Sequence, residues 1–307
     1  MSTLERPPLG LDLACGDLPG PGPGDAAPPR PSLARRWCAS PSALAGSLVV
    51  AVVVLVAVVS LAWTPHNPLA QSLGDALRGP SLAHPLGTDE YGRDELSRLM
   101  AGTRISLFAG ILAVLVASVV GLPAGLVAAS RGGAVDELVM RAADSLFAFP
   151  ALLAAIVLVT ALGASTATAM LAIGIASVPH FARVTRSAAL PVLRSEYVAA
   201  ARTYGRTEPA IVRRHVLPNV LPVLVVQTTL LFSVAIVAEA SLSYLGLGTA
   251  PPAPSWGLML KDGQSFLTGD AALVLWPTLA IALTVLGLHL LGEGLRDVLD
   301  PPLRSRP

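Results

Sequence analysis

The sequence of 307 residues is poor in charge, aromatic side chains and cysteine. Only 13% of its residues are Asp, Glu, Lys or Arg, about half the fraction found in soluble globular chains, which argues against an ordinary soluble enzyme. The net charge of +1 creates no field that attracts a polyanion, so nucleic acid is excluded as a partner. Aromatic residues make up 5%, too few for the aromatic girdles of a membrane β-barrel.

Cysteine and lysine are almost absent. The cysteines, Cys15 and Cys38, precede the first long apolar run and belong to no Cys-x-x-Cys or histidine-rich pattern, so neither a structural disulfide nor a metal site is expected there. Lys261 is the only lysine, and it stands between Leu260 and Asp262. The phosphate-binding pattern Gly-x4-Gly-Lys-Ser/Thr therefore does not occur, and we expect no ATP hydrolysis by this chain.

Apolar residues are abundant, at 53%, and they are grouped in long uncharged runs. A helix needs about 20 residues to cross a hydrocarbon core of about 30 Å. The uncharged run from Ser145 to Pro179 is too long for one crossing, and Gly163-Ala164-Ser165-Thr166 offers a turn that divides it. We predict an all-α polytopic membrane protein with six transmembrane helices, at about residues 43–62, 105–130, 140–162, 167–183, 216–239 and 271–292.

The first 41 residues contain nine prolines and five glycines, a composition that does not build a helix or bury a core. We predict a disordered cytoplasmic tail over residues 1–41, followed by a transmembrane domain over residues 42–302. A cleaved signal peptide is the alternative for the first apolar run, with Arg35-Arg36 as an export signal. No small-residue cleavage site follows Trp63, so a retained anchor is the preferred interpretation.

The distribution of basic residues predicts the orientation. Six spans place both termini on one side, and with the N-terminus inside, most of the 21 basic residues fall in cytoplasmic segments. Those left outside are Arg78, Arg93, Arg98, Arg104 and Lys261. Both termini are therefore expected in the cytoplasm, together with the arginine-rich loop at about residues 184–215.

This loop combines small and basic residues. Ala199-Ala200-Ala201 and Arg202 favour a short helix, Gly205 can end it, and Pro209 suits the first turn of a second helix. A face of alanines lets another protein approach closely, while Arg202 and Arg206 offer donors to acidic groups of a partner. From these residues alone, a solvated cytoplasmic loop stays open as the alternative to a docking surface.

The spacing of Ala199-Ala200-Ala201, Gly205 and His215-x-Leu217-Pro218 resembles the EAA loop of bacterial ABC importer permeases. The resemblance implies a coupling helix that docks into a groove of a separate ATPase subunit. The implied coupling residues are Glu196, Ala199, Ala200, Arg202, Gly205 and Arg206. The sequence departs from the family at two positions: Ala199 stands where the family often has Glu, and His215 where it often has Ile. Glu196 lies one turn before Ala199 on a similar helix face.

Two further stretches narrow the resemblance. Residues 84–98 read HPLGTDEYGRDELSR, and residues 239–248 and 254–257 read EASLSYLGLG and PSWG. These stretches are similar to the dipeptide/oligopeptide/nickel permease family, and match its second type of permease subunit, the shorter partner in the usual heterodimer. The resemblance covers about residues 42–302 and implies the type I importer permease fold, with short peptides as cargo and nickel or another small solute as the alternative.

The resemblance also implies the partners. These are a second permease subunit, two ATPase subunits or domains that bind ATP and Mg²⁺, an extracytoplasmic peptide-binding protein and the lipid of the bacterial cell membrane. No cofactor is expected in this chain. A secondary transporter or channel is the alternative from another class, but the spans carry few charges and show no internal repeat.

Polar residues near the spans are the candidates for the substrate path, because charge is costly in lipid. The possible path residues are Asp144, Glu239 and Ser241, and a structural hydrogen-bond role is the alternative for Asp144 and Glu239. His289 and Glu293, one turn apart, are expected to pair with each other or with the cytoplasmic surface.

The segment before the second span is predicted to lie as an amphipathic helix on the outer membrane face. This prediction depends on residues at helical spacing: Leu96, Leu99, Met100 and Thr103. Four acidic residues nearby are then expected to face water or a partner: Asp89, Glu90, Asp94 and Glu95. A structural cap, docking with a binding protein and a metal site are the alternatives, although the spacing is not that of a calcium loop.

Overall fold

The computed structural model describes residues 32–299, and this part of the chain is built from helices. In chain order they are α1 (Leu33–Ala39), α2 (Pro41–Ala62), α3 (Glu95–Arg131), α4 (Gly133–Phe147), α5 (Ala151–Leu162), α6 (Thr166–Leu193), α7 (Glu196–Thr203), α8 (Glu208–Ile211), α9 (Leu217–Tyr244), α10 (Trp256–Gly263) and α11 (Ala272–Leu299). A π-helical turn, Val212–Val216, joins α8 to α9. The predicted all-α fold is confirmed.

Five helical segments are long and apolar enough to cross a membrane: Pro41–Ala62, Glu95–Arg131, Thr166–Leu193, Glu208–Tyr244 and Ala272–Leu299. The pair α4 and α5 makes a sixth crossing if it is counted as one span, but the two helices are bent by 80° relative to each other. Pro150 is the N-cap of α5, and its ring and missing N–H prevent α4 from continuing through this point. The span predicted at 140–162 is therefore a broken helix in the structure.

Helix α3 begins at Glu95, about ten residues earlier than the predicted second span. Its N-cap is Asp94, whose carboxylate accepts a hydrogen bond from the backbone N–H of Ser97 at 2.9 Å. The expected amphipathic helix on the membrane face is thus the first part of α3 and not a separate element.

Two other boundaries also differ from the prediction. Helix α6 continues to Leu193, ten residues beyond the predicted end at 183. Within the predicted tail, Leu33–Ala39 is helical, with Ser32 as its N-cap, while residues 1–31 lie outside the described residues. Residues 300–302 of the predicted transmembrane domain also lie outside them.

Helices α3 and α6 pack closely through glycine. A Cβ at Gly121 would stand 2.9 Å from Cβ of Phe181 and 3.0 Å from the carbonyl oxygen of Val178, so only glycine fits there without a shift. Gly174 faces α3 in the same way, because its Cβ would stand 2.7 Å from Cβ of Val116. Small residues let helix backbones approach within a membrane, and these contacts position the bundle that carries the site.

The two ends of the bundle carry different connections. At one end, residues 63–94 and 245–271 pack over the helix termini, and the indole N–H of the buried Trp256 donates to the carbonyl of Leu99 at 3.1 Å. We call this the platform end. The other end carries α7 and α8, and we call it the α7 end.

Candidate coupling site and transport path

Gly205 ends α7 in a defined way. Its backbone N–H donates to the carbonyl of Arg202 at 2.9 Å, and the N–H of Arg206 donates to the carbonyl of Ala201 at 3.2 Å. This pair of bonds is a Schellman motif, which places the residue after the helix cap in the left-handed region, and φ of Gly205 is +74°. A Cβ at Gly205 would find nothing within 4 Å, so the backbone conformation alone favours glycine here.

One side of α7 is anchored in the core and the other faces outward. Val198 is fully buried and belongs to a cluster that includes Phe181 of α6 and Leu224 of α9. The exposed residues of α7 include four of the predicted coupling residues: Glu196, Ala199, Ala200 and Arg202. Packing of Val198 in this cluster, with α7 against α6, therefore holds the small-residue side of α7 outward.

An exposed aromatic residue lies beside these alanines. Tyr204, the C-cap of α7, has 88% of its surface exposed. Its large apolar ring would be covered if another protein docked here, as aromatic residues commonly are in interfaces. We did not predict Tyr204, and its position before Gly205 was the only sequence signal. We define the coupling face as Glu196, Ala199, Ala200, Arg202, Tyr204 and Arg206.

Arg202 has a partner within its own chain. Its Nε lies 2.7 Å from Oε1 of Glu208, and a second hydrogen bond of 3.3 Å joins Nη2 to Oε2. The hydrogen bonds to Glu208 raise the pKa of Arg202. The sequence predicted that Arg202 offers its donors to another protein, but in the structure they tie α7 to the first residue of α8. Within residues 32–299, Glu196 and Arg206 form no ion pair.

Ser241 is the predicted path residue that lines open space. One groove, of about 300 Å³, lies between α5, α6, α9 and α11, and Ser241 is part of its mostly apolar wall. A second groove, of about 570 Å³, runs between α9, α10 and α11 and includes the same serine. The Ser241 hydroxyl donates to the carbonyl of Val237 at 2.8 Å within α9.

Glu239 is fully buried and lies outside the walls of both grooves. Its carboxylate accepts hydrogen bonds from the hydroxyls of Ser243 at 2.6 Å, Thr249 at 3.3 Å and Ser106 at 3.4 Å. Because Ser106 belongs to α3 and Thr249 to the platform end, the carboxylate joins three segments. These contacts favour the structural role that the sequence left open, and a role in the path stays a prediction.

Asp144 is exposed and pairs with Arg183 of α6 at 2.7 Å. A second ion pair joins the same two helices, with both carboxylate oxygens of Asp136 at 2.5 Å from the Arg186 guanidinium. These pairs fasten α4 to α6 near both ends of α4, and Asp144 lies just before the bend at Pro150. The geometry favours a structural role for Asp144, and its role in the path also stays a prediction.

Comparison with known proteins decides the family. Residues 121–305 match the model of binding-protein-dependent transport system inner membrane components. The chain belongs to this family. The permease is 41% identical over 272 residues to the glutathione transport system permease protein of Pectobacterium atrosepticum, covering 88% of this chain and 90% of the relative. It is 39% identical over 263 residues to the dipeptide transport system permease protein of Alkalihalophilus pseudofirmus, covering 86% of each chain.

A solved structure shows the same fold. The inward-facing methionine ABC transporter MetNI matches the permease with a TM-score of 0.55 at 20% identity, covering 65% of this chain and 95% of that chain. The predicted resemblance and the predicted importer permease fold are thus confirmed. The protein is a multi-pass membrane protein and a permease subunit of an ABC importer, so the alternative of a secondary transporter or channel is excluded.

His289 and Glu293 of the permease do not form the expected pair. Both side chains are exposed, and within residues 32–299 no hydrogen bond or ion pair joins them. His289 instead lines the groove of about 300 Å³ that also contains Ser241. A titratable side chain thus faces this groove.

Three acidic residues at the platform end are buried within the chain: Asp89, Asp94 and Glu95. The expectation that they face water or a partner is therefore wrong. Asp89 accepts a hydrogen bond from Nε of Arg93 at 2.5 Å, and its Oδ2 lies 3.4 Å from Nε of Arg98. Asp262 of α10 lies 3.6 Å from both guanidinium groups. Burial raises the pKa of Asp262, although the two arginines favour its ionised form. This network ties α10 to the start of α3.

Proposed function

We propose that the permease and a second permease subunit form the path through which an ABC importer moves short peptides across the bacterial cell membrane. The cargo is supported by the names of the two relatives, which are permeases for glutathione and for dipeptides. Glutathione is itself a short peptide, so both names indicate the same chemical class. Neither name supports nickel.

The observation that carries this proposal is the coupling face. Ala199 and Ala200 expose a small-residue surface on a helix whose opposite side is anchored through the fully buried Val198. The ATPase subunit docks on these alanines, and Tyr204 adds apolar area at the edge. ATP and Mg²⁺ belong to the ATPase partners, and this chain binds neither of them.

The mechanism is alternating access. ATP closes the ATPase dimer, and α7 passes the movement to α6 and α9 through the cluster around Val198. Helices α6 and α9 also line the groove at Ser241, so the same movement changes the path. To shift a two-state equilibrium from 1:99 to 99:1, ATP must favour one state by about 5.5 kcal/mol.

The orientation follows the positive-inside rule. The α7 end and both termini lie in the cytoplasm, where the ATPase subunits bind. The platform end faces outward and meets the extracytoplasmic peptide-binding protein, which delivers the cargo. The bilayer surrounds the apolar helices between the two ends.

Uptake by the reconstituted transporter tests this function. Proteoliposomes that contain both permease subunits and the ATPase are supplied with binding protein, ATP and a labelled dipeptide. We expect ATP-dependent uptake that unlabelled glutathione or dipeptide reduces and nickel does not. Uptake of nickel without uptake of dipeptide, or uptake that needs no ATP, would overturn the proposal.

The coupling face has its own matched variants. Ala200→Trp places a large ring where the ATPase must approach, whereas Ala200→Ser keeps a small residue at the same position. We expect the Trp variant to insert into the membrane but to lose ATPase stimulation and uptake, and the Ser variant to keep both. Equal uptake by the two variants would contradict docking at Ala200.

A further inference from the structure

Three potential metal ligands converge at the platform end. Nδ1 of His84 lies 2.9 Å from Oδ1 of Asp94, and Nδ1 of His66 lies 3.7 Å from the same oxygen. One ligand atom from each residue lies within 4.8 Å of the other two. The residues come from separate points of the chain: the segment after α2, the loop at residue 84 and the N-cap of α3.

The spacing of these atoms suits a tetrahedral ion. Zn²⁺ binds nitrogen and oxygen ligands at about 2.0–2.1 Å, so neighbouring ligand atoms of a tetrahedral site are separated by about 3.3 Å. The separations of 2.9 Å and 3.7 Å lie on either side of this value. Each of these two separations needs a change of about 0.4 Å to reach the distance that the ion requires. The ligand atoms of His66 and His84 lie within 4.8 Å of each other and would have to come closer to share the ion.

The carboxylate is held in place by contacts on its far side. Oδ2 of Asp94 accepts hydrogen bonds from the backbone N–H and the hydroxyl of Ser97, at 2.9 Å and 2.6 Å. Oδ1 remains directed at both imidazoles, and the Asp94 side chain is 1% exposed. The hydroxyl oxygen of Ser97 also accepts from the backbone N–H of His66 at 2.9 Å. Such second contacts fix the orientation of metal ligands.

We propose that the permease binds one divalent transition-metal ion of the Zn²⁺ type through His66, His84 and Asp94. Two imidazoles and one carboxylate form a ligand set that zinc uses when its fourth position is left to water. Ca²⁺ is a poor fit, because it takes six to eight oxygen ligands. The side chains of His66 and His84 are 43% and 16% exposed, so the fourth position opens to solvent.

The ion would link the loop before α3 to the N-terminus of that helix. Without the ion, a hydrogen bond joins His84 to Asp94, and Nδ1 of His66 lies 3.7 Å from the carboxylate, beyond hydrogen-bond distance. With it, all three side chains share one centre. Because only the folded platform brings the ligands together, binding stabilises the native permease, and this stabilisation rises with the logarithm of metal concentration once the site is mostly occupied.

The test uses the assembled transporter without its binding protein, stripped of metal by a chelator. Calorimetric titration with Zn²⁺ measures the number of ions bound, and the visible spectrum with Co²⁺ reports the ligand geometry. We expect wild type to bind one Zn²⁺ per permease. The affinity for this ion is expected to fall by a factor of about 10 or more in His84→Ala and in His66→Gln. The tetrahedral Co²⁺ bands are expected to disappear in both variants.

His180→Ala is the matched control, because it removes an exposed histidine of α6 that is not part of the cluster. We expect it to bind as wild type does. Equal Zn²⁺ binding by wild type, His84→Ala and His66→Gln would overturn the proposal, as would a wild type that binds no Zn²⁺. If His84→Ala fails to fold, His66→Gln still allows the comparison with wild type, because His66 is the more exposed of the two histidines. None of these readouts depends on peptide uptake.

Discussion

Gly205 offers a direct way to weaken coupling without changing membrane insertion. Its φ of +74° lies in the left-handed region, where a residue with a Cβ costs about 1–2 kcal/mol. No atom lies within 4 Å of the Cβ position, so the cost comes from the backbone and not from a clash. A change of this size lowers the ratio of ordered to unravelled α7 ends by about 5- to 30-fold.

Two substitutions at this position separate backbone preference from side-chain bulk. Gly205→Val introduces a β-branched residue that avoids the left-handed region, whereas Gly205→Asn introduces a residue that tolerates it. We expect the Val variant to reach the membrane in normal amounts but to lose most dipeptide uptake and most ATPase stimulation by the binding protein. The Asn variant is expected to keep both activities close to wild type.

The assay compares uptake and ATP hydrolysis in proteoliposomes that contain equal amounts of each transporter. If Gly205→Val retained uptake with unaltered ATPase stimulation, the assignment of α7 as the coupling element would be wrong. If Gly205→Asn failed as severely as Gly205→Val, the left-handed conformation would not be the reason for glycine at this position.

Three other substitutions follow from the same structure. Single and double alanine variants of Arg202 and Glu208 measure the energy of this ion pair in a thermal double-mutant cycle. Because the pair is exposed, the coupling energy should be about 0.2–1 kcal/mol. A value well above this range would contradict its assignment as an exposed pair. Gly121→Leu should prevent close packing of α3 on α6, and so lower both the amount of folded permease and its melting temperature. Gly74→Leu is the control and should lower neither, because the space around Gly74 is open. Equal effects of the two variants would refute this packing argument. Glu239→Leu leaves buried hydroxyls without their acceptor, at a cost of about 1–3 kcal/mol for each unsatisfied group. The melting temperature of Glu239→Leu should therefore fall further than that of Glu239→Gln. A changed dipeptide KM with unchanged stability would instead favour a role of Glu239 in the path.

The membrane fold could be predicted from the sequence because lipid imposes a strict requirement on composition. Each crossing needs about 20 apolar residues, and such runs are visible without knowledge of their neighbours. The bend between α4 and α5 was not predicted, although Pro150 stood in the run. The bend is 80°, and α4 is held on α6 by two ion pairs, Asp144–Arg183 and Asp136–Arg186. These pairs join residues far apart in the chain, so no local pattern predicts them.

At the platform end, too, contacts between residues far apart in the chain could not be predicted from sequence. Asp89 and Arg93 are four residues apart, and their pairing was open to prediction from sequence. Asp262, which faces Arg93 and Arg98, lies more than 160 residues later, and only the folded chain brings it there. Because the sequence alone does not show this long-range partner, we expected the charges at the platform end to face water or another protein.

The coupling loop was predicted in part. The positions of the short helix and of its glycine end followed from local preferences, since Gly205 and Pro209 restrict the backbone directly. The partner of Arg202 did not follow, because Glu208 reaches it only after the chain reverses at Gly205. The role of Arg202 toward an outside partner stays a prediction, while the exposed alanines agree with the expected small-residue face.

Site-directed cross-linking tests docking of the ATPase on the coupling face most directly. In a transporter that lacks Cys15 and Cys38, Ala200→Cys is treated with a short bifunctional reagent, with and without ATP, and Ser81→Cys at the platform end serves as the exposed control. We predict that Ala200→Cys cross-links to the ATPase subunit in a yield that changes with ATP, and that Ser81→Cys does not. No cross-link from Ala200→Cys to the ATPase, or an equal yield from Ser81→Cys, would contradict the account.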